Sequence, residues 1–369
     1  MGGISKKIIK KLMLFFLIFS VGALFLKGSE EQETKNYDIK LKPVFNILPT
    51  DDPGKGFFVF PVDFKVSRKG KIFFIDSKTG KVLKYSEKGK FEKYIGRKGQ
   101  GPGEYIAPQK LFLSESKLYV YDGLSRKIHI YKLTGEYIRT LDIGKIVALF
   151  SDFYVDKNNN VYALWIDYSG EEIRYVVGKF DFKKRNIEKI KILKREKIKK
   201  AVMGGISHEY SQRLFFRIFP GGFVYGDNMD RTIYFYNIKN GVSEKILLIK
   251  WKREKISQRE VAFLKKMIGK EEAKKLPEYK PFYQNLFVDE NEYIYFAKPS
   301  DVLTPRKNKI NRIIAYNKNG KHLFDFKLPA GYRPLTISKE GIYVLVSKDD
   351  DFCIEKFVFE QNQKINKDR

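Results

Sequence analysis

The sequence predicts an all-β protein, a six-bladed β-propeller of four-stranded antiparallel blades. The main observation is a strand ending in Asp that recurs as IFFID at 72–76, LYVYD at 118–122 and FVYGD at 223–227. In each copy an aromatic residue, Tyr85, Tyr131 or Tyr236, follows nine positions after the Asp. The first two Asp residues are 46 positions apart, a repeat length typical of propeller blades.

Looser copies of the same unit extend the repeat along the chain. They are VYALWID at 161–167, YIYFA at 293–297 and IYVLV at 342–346. Each of the six units starts with one further short alternating strand, and most end with another. Turns rich in Gly, Asn, Asp and Lys separate these strands. Six units of four strands predict a six-bladed ring over residues 37–360.

The ring needs a strand from the other end of the chain in order to close. The last unit ends after FCIEKFVF at 352–359, so it contains only three strands. The segment 37–48 is an extra strand before the first unit, so we expect it to form the outer strand of the last blade. Closure of this kind removes two free sheet edges, and the protein is expected to be a monomer.

The N-terminal segment is expected to direct export. Four lysines, the last of them Lys11, precede the apolar run 12–26. Residues 1–28 therefore read as a cleaved signal peptide or as an uncleaved anchor in which residues 8–26 hold the protein at the inner membrane. Residues 29–36 are expected to form a tether, and residues 361–369 a polar tail. The predicted location is periplasmic or extracellular.

The stretch GRKGQGPGEYIAP at 96–108 resembles the junction between blades of NHL-repeat propellers. LYVYDGLSRKIHIY, which begins at Leu118, resembles the rest of that repeat. The chain is similar to exported six-bladed propellers of bacteria over roughly residues 60–360. The resemblance implies the fold. It implies little chemistry, because such propellers include binding modules, scaffolds and a few lyases and lactonases.

Several motifs suggest a metal or catalytic site, but an ordinary structural role is favoured for each of them. The recurring Asp residues and DKNNN at 156–160 fit turns better than calcium ligands, because position 161 is Val where an EF-hand has Gly. Cys353 fits a buried strand position. His129 is expected to be exposed on its strand. No metal, cofactor or catalytic residue is therefore predicted.

The longest excursions of the chain are expected on one face of the ring, which we call the long-loop face. It carries the junctions from the outer strand of one blade to the inner strand of the next, and the loops between second and third strands. Residues 255–283, between blades 4 and 5, are expected to form a helical insertion. Ser257 and Glu260 form a capping box there, and Val261, Leu264, Met267 and Ile268 form an apolar stripe. The helix either covers this face as a partial lid or packs at the ring edge.

The loops of this face are basic, in a chain with 72 Lys and Arg, 44 Asp and Glu and a net charge of +28. A field of this sign attracts anions, although a merely solvated basic surface is the alternative. Candidate binding residues are Arg97, Arg126, Trp165, His208, Arg231, Trp251, Arg306, Lys307 and Arg312. The expected partner is an anionic glycan, a lipid headgroup or a protein. The export signal and the lack of nucleic-acid motifs argue against nucleic acid.

The sequence thus predicts an exported binding or scaffold protein that uses its basic long-loop face. The alternative is a lyase or hydrolase of the propeller type with its site at the mouth of the channel. The sequence shows no Ser-His-Asp set, His-x-x-x-His pair or paired cysteines, and its inner strands offer no set of His and Glu metal ligands, so enzymatic activity is unsupported but left open.

Overall fold

The computed structural model describes residues 39–52, 54–143, 150–167, 172–181, 186–197, 210–219, 221–304, 308–348 and 351–360. The predicted signal or anchor (1–28), tether (29–36) and polar tail (361–369) lie outside these residues. None of the helices in the described part of the chain has the length and apolar character needed to cross a bilayer.

The described residues form twenty-six strands and two helices, numbered in chain order. The strands are β1 (Leu41–Ile47), β2 (Pro61–Val66), β3 (Ile72–Asp76), β4 (Lys81–Tyr85), β5 (Phe91–Ile95), β6 (Arg97–Lys98), β7 (Glu104–Tyr105), β8 (Pro108–Leu113), β9 (Lys117–Asp122), β10 (Lys127–Lys132), β11 (Tyr137–Asp142), β12 (Phe150–Val155), β13 (Val161–Asp167), β14 (Glu172–Asp181), β15 (Asn186–Lys197), β16 (Leu214–Phe219), β17 (Gly222–Asp227), β18 (Thr232–Asn237), β19 (Val242–Leu248), β20 (Asn285–Val288), β21 (Ile294–Ala297), β22 (Arg312–Tyr316), β23 (His322–Lys327), β24 (Arg333–Ser338), β25 (Gly341–Lys348) and β26 (Asp351–Phe359). The helices are α1 (Gln258–Ile268) and α2 (Lys270–Ala273).

Six four-stranded antiparallel sheets form the blades, as the sequence predicted. The blades are β2–β5, β8–β11, β12–β15, β16–β19, β20–β23 and β24–β26 with β1. Strand β1 pairs antiparallel with β26, so that Leu41 lies opposite Phe359 and Ile47 opposite Ile354. The first strand of each blade contacts the first strand of the next, and β24 contacts β2. These six strands therefore surround a central channel.

The hydrophobic core is divided among the six contacts between neighbouring blades. Ile75 and Val82 of blade 1 pack with Leu111 and Val120 of blade 2. Each further pair of neighbours shares one such cluster. The sixth cluster joins Tyr343 of blade 6 to blade 1, which closes the ring. Strand β3 is buried at all of its positions and β9 at all but its first, because both faces of a blade are covered by its neighbours.

The recurring Asp links each of the first two blades to the junction before it. The carboxylate of Asp122 accepts the backbone N–H groups of Ile106 and Ala107 in the junction, and those of Leu124 and Ser125 in the turn after β9. Asp76 holds the backbone of Val59, Phe60 and Thr79 in the same way. Both carboxylates are fully buried. The predicted turn support is correct, and the contact also fixes the path of the incoming chain.

The aromatic residue nine positions later secures the same junction from the third strand. The Tyr131 hydroxyl donates to the carbonyl of Gly103 at 2.9 Å, and the Tyr85 hydroxyl donates to that of Gly56 at 2.8 Å. Gly96 and Gly103 both have positive φ, and a Cβ on Gly96 would lie 2.6 Å from the Tyr131 hydroxyl. The Gly-rich junction is therefore a consequence of packing against this tyrosine.

Two details differ from the expectations. His129 is 2% exposed, so the prediction of an exposed histidine was wrong. Its strand β10 is covered on both faces, and its Nδ1 lies 3.0 Å from the Thr140 hydroxyl. In blade 4 the neighbour of the recurring Asp227 holds the junction: the side chain of Asn228 accepts the Arg213 N–H and donates to the Ser211 carbonyl.

Candidate functional site

The long excursions lie on the predicted face of the ring. In an antiparallel blade, the junctions between blades and the loops between second and third strands leave from the same end. The junctions 96–107 and 249–284 and the loop 298–311 all belong to this set. Turns on the opposite face, which we call the short-turn face, have two to five residues.

Helix α1 is seated in the insertion by its first turn. Ser257 accepts the Glu260 N–H, and the Glu260 carboxylate accepts the Ser257 N–H, which is the predicted capping box. Glu260 is 2% exposed, accepts the Tyr210 hydroxyl and lies 3.0 Å from the Lys280 ammonium. Burial would raise the pKa of Glu260, but these hydrogen bonds outweigh it and lower that pKa to about 2. The carboxylate is therefore a structural anchor of the insertion.

The predicted apolar stripe of α1 is correct only in part. Leu264 is 1% exposed and packs with Tyr210, Ile256 and Val302. Val261 and Met267 belong to the predicted stripe, but they remain 36% and 55% exposed. The physical reason is that Glu260 and Leu264, one turn apart, set the buried face, which turns the flanks of the predicted stripe to solvent.

Two of the predicted arginines are used inside their own blades. Arg312 pairs with Asp325, whose side chain is 3% exposed and also lies 2.7 Å from the His322 Nε2. Burial would raise the pKa of Asp325, but these partners lower it. Arg231 donates through Nε and Nη2 to the Ile249 carbonyl, at 3.1 and 2.9 Å.

The two tryptophans occupy different environments. Trp165 is 6% exposed in the cluster between blades 2 and 3, so it has no surface to offer a ligand and does not qualify as a binding residue. Trp251 is half-buried against Phe296 and Tyr316 and donates its Nε1–H to the Phe282 carbonyl at 3.2 Å. The ring of Trp251 lies 6.0 Å from the Lys298 ammonium, at the edge of the insertion.

The remaining predicted residues are scattered or lie outside the described part of the chain. Arg97 is exposed and pairs with Glu104 at 2.6 Å within the blade junction. Arg126 is exposed and forms no ion pair with any described residue. His208, Arg306 and Lys307 fall outside the described residues. The nine predicted residues therefore do not form one described cluster.

Among the described residues of this face, the insertion carries a large excess of positive charge. Between Ile249 and Gln284 the chain has eleven Lys or Arg and five Glu, an excess of six positive charges. Arg253 lies 5.5 Å from the ring of Tyr279 and 5.4 Å from that of Phe282. Arg259, Lys265 and Lys266 are exposed on α1 without ion pairs to the described residues. We call residues 249–284 the basic insertion.

The central channel holds a second group of charges, which the sequence analysis missed. A cavity of about 1090 Å³ runs between the inner strands and reaches the short-turn face at Arg68, Glu115 and Lys157. Its charged lining includes Asp63, Lys65, Lys110, Asp152 and Arg217. The signal was visible as one or two charged residues in each of the first-strand segments DFKV, KLFL, DFYV and FRIF, where a core strand would be apolar.

The channel charges influence one another across the cavity. Burial raises the pKa of Asp152 and lowers the pKa of Arg217. Burial would also lower the pKa of Lys65, but the carboxylates of Asp63 and Asp152 outweigh it and raise that pKa. Lys65 lies 3.4 Å from Asp63, whereas Asp152 has no ion pair with any described residue. Charges held apart in a cavity can take a ligand between them.

Metal ligands are not grouped in the described residues, where no three His, Cys, Asp or Glu side chains come together in a way that could hold an ion. The DKNNN segment forms a turn, as expected. Asp156 accepts the backbone N–H groups of Asn158 and Asn160 at 2.9 and 2.8 Å. Its carboxylate is therefore occupied by its own loop.

The closed ring of six sheets defines the chain as a six-bladed β-propeller. The chain belongs to the family DUF5128, described as 6-bladed beta-propeller, whose model matches residues 63–355. No curated protein matches the sequence. The family match supports the propeller part of the resemblance seen in the sequence, and the NHL label stays a prediction.

Solved structures with the same fold include two from Bacteroides. A protein of Bacteroides fragilis described as exported has a TM-score of 0.56 and 14% identity, with 89% of this chain and 98% of that chain covered. A DUF4221 member from Bacteroides vulgatus has a TM-score of 0.52 and 12% identity, with 89% and 100% covered. A streptogramin B lyase has a TM-score of 0.45 and 11% identity, with 88% and 98% covered. At these identities the similarity to the two Bacteroides proteins shows the fold and no activity.

Proposed function

We propose that this protein is an exported binding protein that docks on an anionic membrane surface through its basic insertion. The observation that carries the proposal is the outer side of α1. Arg259, Phe263, Lys266 and Met267 are spaced so that they share one side of the helix. All four are exposed, and Phe263 and Met267 are 37% and 55% exposed.

Cations beside exposed apolar side chains are typical of helices that lie in a membrane interface. The apolar groups enter the boundary of the acyl chains, while Lys and Arg extend to the headgroups. Lys265 lies on the same helix, and Lys252 and Lys255 precede it in the insertion. Each cation near an anionic leaflet contributes about 1 kcal/mol, so several together give a useful but reversible affinity.

This pattern favours lipid over the other partners considered. An anionic glycan would use the lysines and arginines but gain nothing from exposed Met267. An acidic protein would bury a patch of this kind in an interface with far fewer lysines, since Lys is depleted from interface cores. The predicted N-terminal signal or anchor would also bring the propeller to a membrane, at high effective concentration if it is retained.

The test is sedimentation of the protein with phosphatidylcholine vesicles, with and without phosphatidylglycerol. A chain that starts at Asp38 keeps every described strand and removes the apolar N-terminal run from the measurement. We expect binding only to the anionic vesicles, with a strong decrease as salt is raised. The triple variant Arg259→Gln, Lys265→Gln, Lys266→Gln should bind about 100-fold more weakly, since about 3 kcal/mol of attraction is removed.

The matched control neutralises three lysines on the short-turn face. Lys69, Lys88 and Lys239 are exposed there and have no ion pair with described residues. Their change to Gln alters the net charge equally and should leave vesicle binding within about twofold of the parent protein. Equal losses in the two triple variants would show that net charge acts without a docking site. Retention on a polyuronate matrix but not on vesicles would replace lipid by a glycan.

A further inference from the structure

The inner strands of the channel leave some of their polar groups without a partner. Asp63 is occupied, because its carboxylate accepts the Leu111 N–H and pairs with Lys65. Among the described residues, Asp152 accepts only the N–H of its own neighbour Phe153, at 2.9 Å. The Lys110 ammonium forms no hydrogen bond or ion pair with the described residues.

Arg217 is held in place but keeps donors to spare. Its Nη1 donates to the Phe216 carbonyl and its Nη2 to the Asn285 side chain, both at 2.7 Å. A guanidinium has five N–H groups, so three remain for a ligand. The Arg217 guanidinium also lies 5.8 Å from the centre of the Phe287 ring, and this cation–π contact helps to hold it in place.

We propose that the central channel binds a small polyhydroxylated anion, such as a sugar acid, with its acidic group at Lys110 and Arg217 and its hydroxyl groups at Asp152. This site is separate from the basic insertion and does not depend on the membrane proposal.

Charge and shape select this class of ligand. The cavity lining has seven Lys or Arg and six Asp or Glu, which leaves one positive charge in excess and favours a monoanion over a neutral sugar or a zwitterionic amino acid. Asp152 needs hydroxyl donors. Phe112, Tyr154 and Phe287 also line the cavity, and aromatic rings can pack against the C–H face of a sugar.

The cavity is also large enough and open enough. Its volume of about 1090 Å³ slightly exceeds the range of about 300–1,000 Å³ that is usual for small-ligand sites. The short turns around its mouth leave a path from solvent, because no described excursion of the length of the basic insertion lies on that face. Burial raises the pKa of Asp152, as expected for a carboxylate that lacks the donors of its ligand.

The experiment is titration calorimetry on the full-length protein. The probes are glucuronate and galacturonate, with glucose, galactose, glucose 6-phosphate and alanine as comparisons. We expect the two uronates to bind and the neutral sugars and alanine not to bind. Binding of glucose 6-phosphate as well would show that the site recognises the hydroxylated anion and not the carboxylate in particular.

Two variants test where in the channel the ligand binds. Lys110→Met removes an ammonium that forms no hydrogen bond or ion pair with the described residues, and it should weaken uronate binding by about tenfold or more, the loss of one charge-assisted hydrogen bond. Lys157→Gln changes the same charge at the rim of the channel and should leave the affinity nearly unchanged. The proposal is overturned if no hydroxylated anion binds, if alanine binds instead, or if the two variants have equal affinity.

Discussion

Buried acids in this propeller fall into two groups with opposite pKa shifts. Burial would raise the pKa of Asp122 and Asp325, but hydrogen bonds and cations outweigh it, so both lie below their ordinary values. For Asp152 and Asp289 burial prevails, and it raises the pKa of Asp289 to about 6. The first pair holds blades and junctions together, whereas the second pair lines the channel.

The difference separates acids whose charge the fold stabilises from acids whose charge it destabilises; of the latter, Asp152 accepts only the N–H of Phe153 among the described residues. A fold that offers a carboxylate enough donors secures its charge, and the charge in turn stabilises the fold. An acid that stays under-compensated in a cavity costs stability, and such groups are concentrated at functional sites. The comparison predicts that removing a structural acid or its partner is costly, and that changing a channel acid is not.

The largest effect is expected for Asp122→Ala. The change leaves four backbone N–H groups without their acceptor, two of them in the incoming junction. The free energy of unfolding should fall by about 4 kcal/mol, since each buried unsatisfied donor costs about 1–3 kcal/mol and water reaches some of them. Urea denaturation measures it, and Asp227→Ala is the control, expected to cost about 1 kcal/mol because Asn228 holds that junction. Equal losses would contradict the linking role of Asp122.

A smaller loss is expected when the partner of Asp325 is removed. Arg312→Met leaves the carboxylate buried with the His322 imidazole as its remaining side-chain partner. We expect a loss of about 3 kcal/mol in the free energy of unfolding, because a broken buried pair leaves an uncompensated charge. Arg126→Met is the control at an exposed arginine that has no ion pair with described residues, with an expected change below about 0.5 kcal/mol. If both variants melt alike, Arg312 is a surface group, as the sequence first suggested.

The third effect is a pH dependence of stability due to Asp289. Its carboxylate accepts the Tyr295 hydroxyl and two backbone N–H groups, but burial prevails. The pKa is about 6 in the folded chain, against about 3.9 when unfolded, so the folded state binds this proton more tightly. The stabilisation is complete below about pH 4 and is lost as the pH rises through 6, by about 3 kcal/mol.

Acids with lowered pKa values make the protein more stable as the pH rises, which is the opposite pH dependence. The effect of Asp289 must therefore be measured as a difference between a variant and the parent protein. The measurement is the free energy of unfolding at several pH values for the parent protein and for Asp289→Asn, which keeps the side-chain shape. The stability of the variant relative to the parent should rise between pH 4 and 7. A difference that is flat in this range would show that Asp289 is not a raised acid.

The fold could be predicted from the sequence because its information is local and repeated. The spacing from Asp122 to Tyr131 identifies one blade, because both side chains form hydrogen bonds with the backbone of the same junction. The six-bladed architecture follows from repeating that unit. The capping box of Ser257 and Glu260 likewise predicted the start of α1.

The site could be predicted only in part, because a sequence does not reveal whether a charged side chain is buried or which groups it pairs with. Arg312 and Arg231 read as free cations until the structure placed Asp325 and the Ile249 carbonyl beside them. Trp165 read as a surface ring and is buried between blades. Asp152 and Lys110 lie 42 positions apart, and they become a pair of functional interest only when the ring brings their strands together around the channel.

The smallest effect on stability is expected for Asp152→Asn. The substitution removes a charge whose burial is unfavourable, and it also removes an attraction to Lys65, so the two changes nearly cancel. We expect the free energy of unfolding to change by less than about 1 kcal/mol, while uronate affinity falls because one hydroxyl acceptor is lost. Urea denaturation and calorimetry on the same preparation give both quantities. A loss of stability as large as that of Asp122→Ala would place Asp152 among the structural acids, and it would remove the distinction between the two groups.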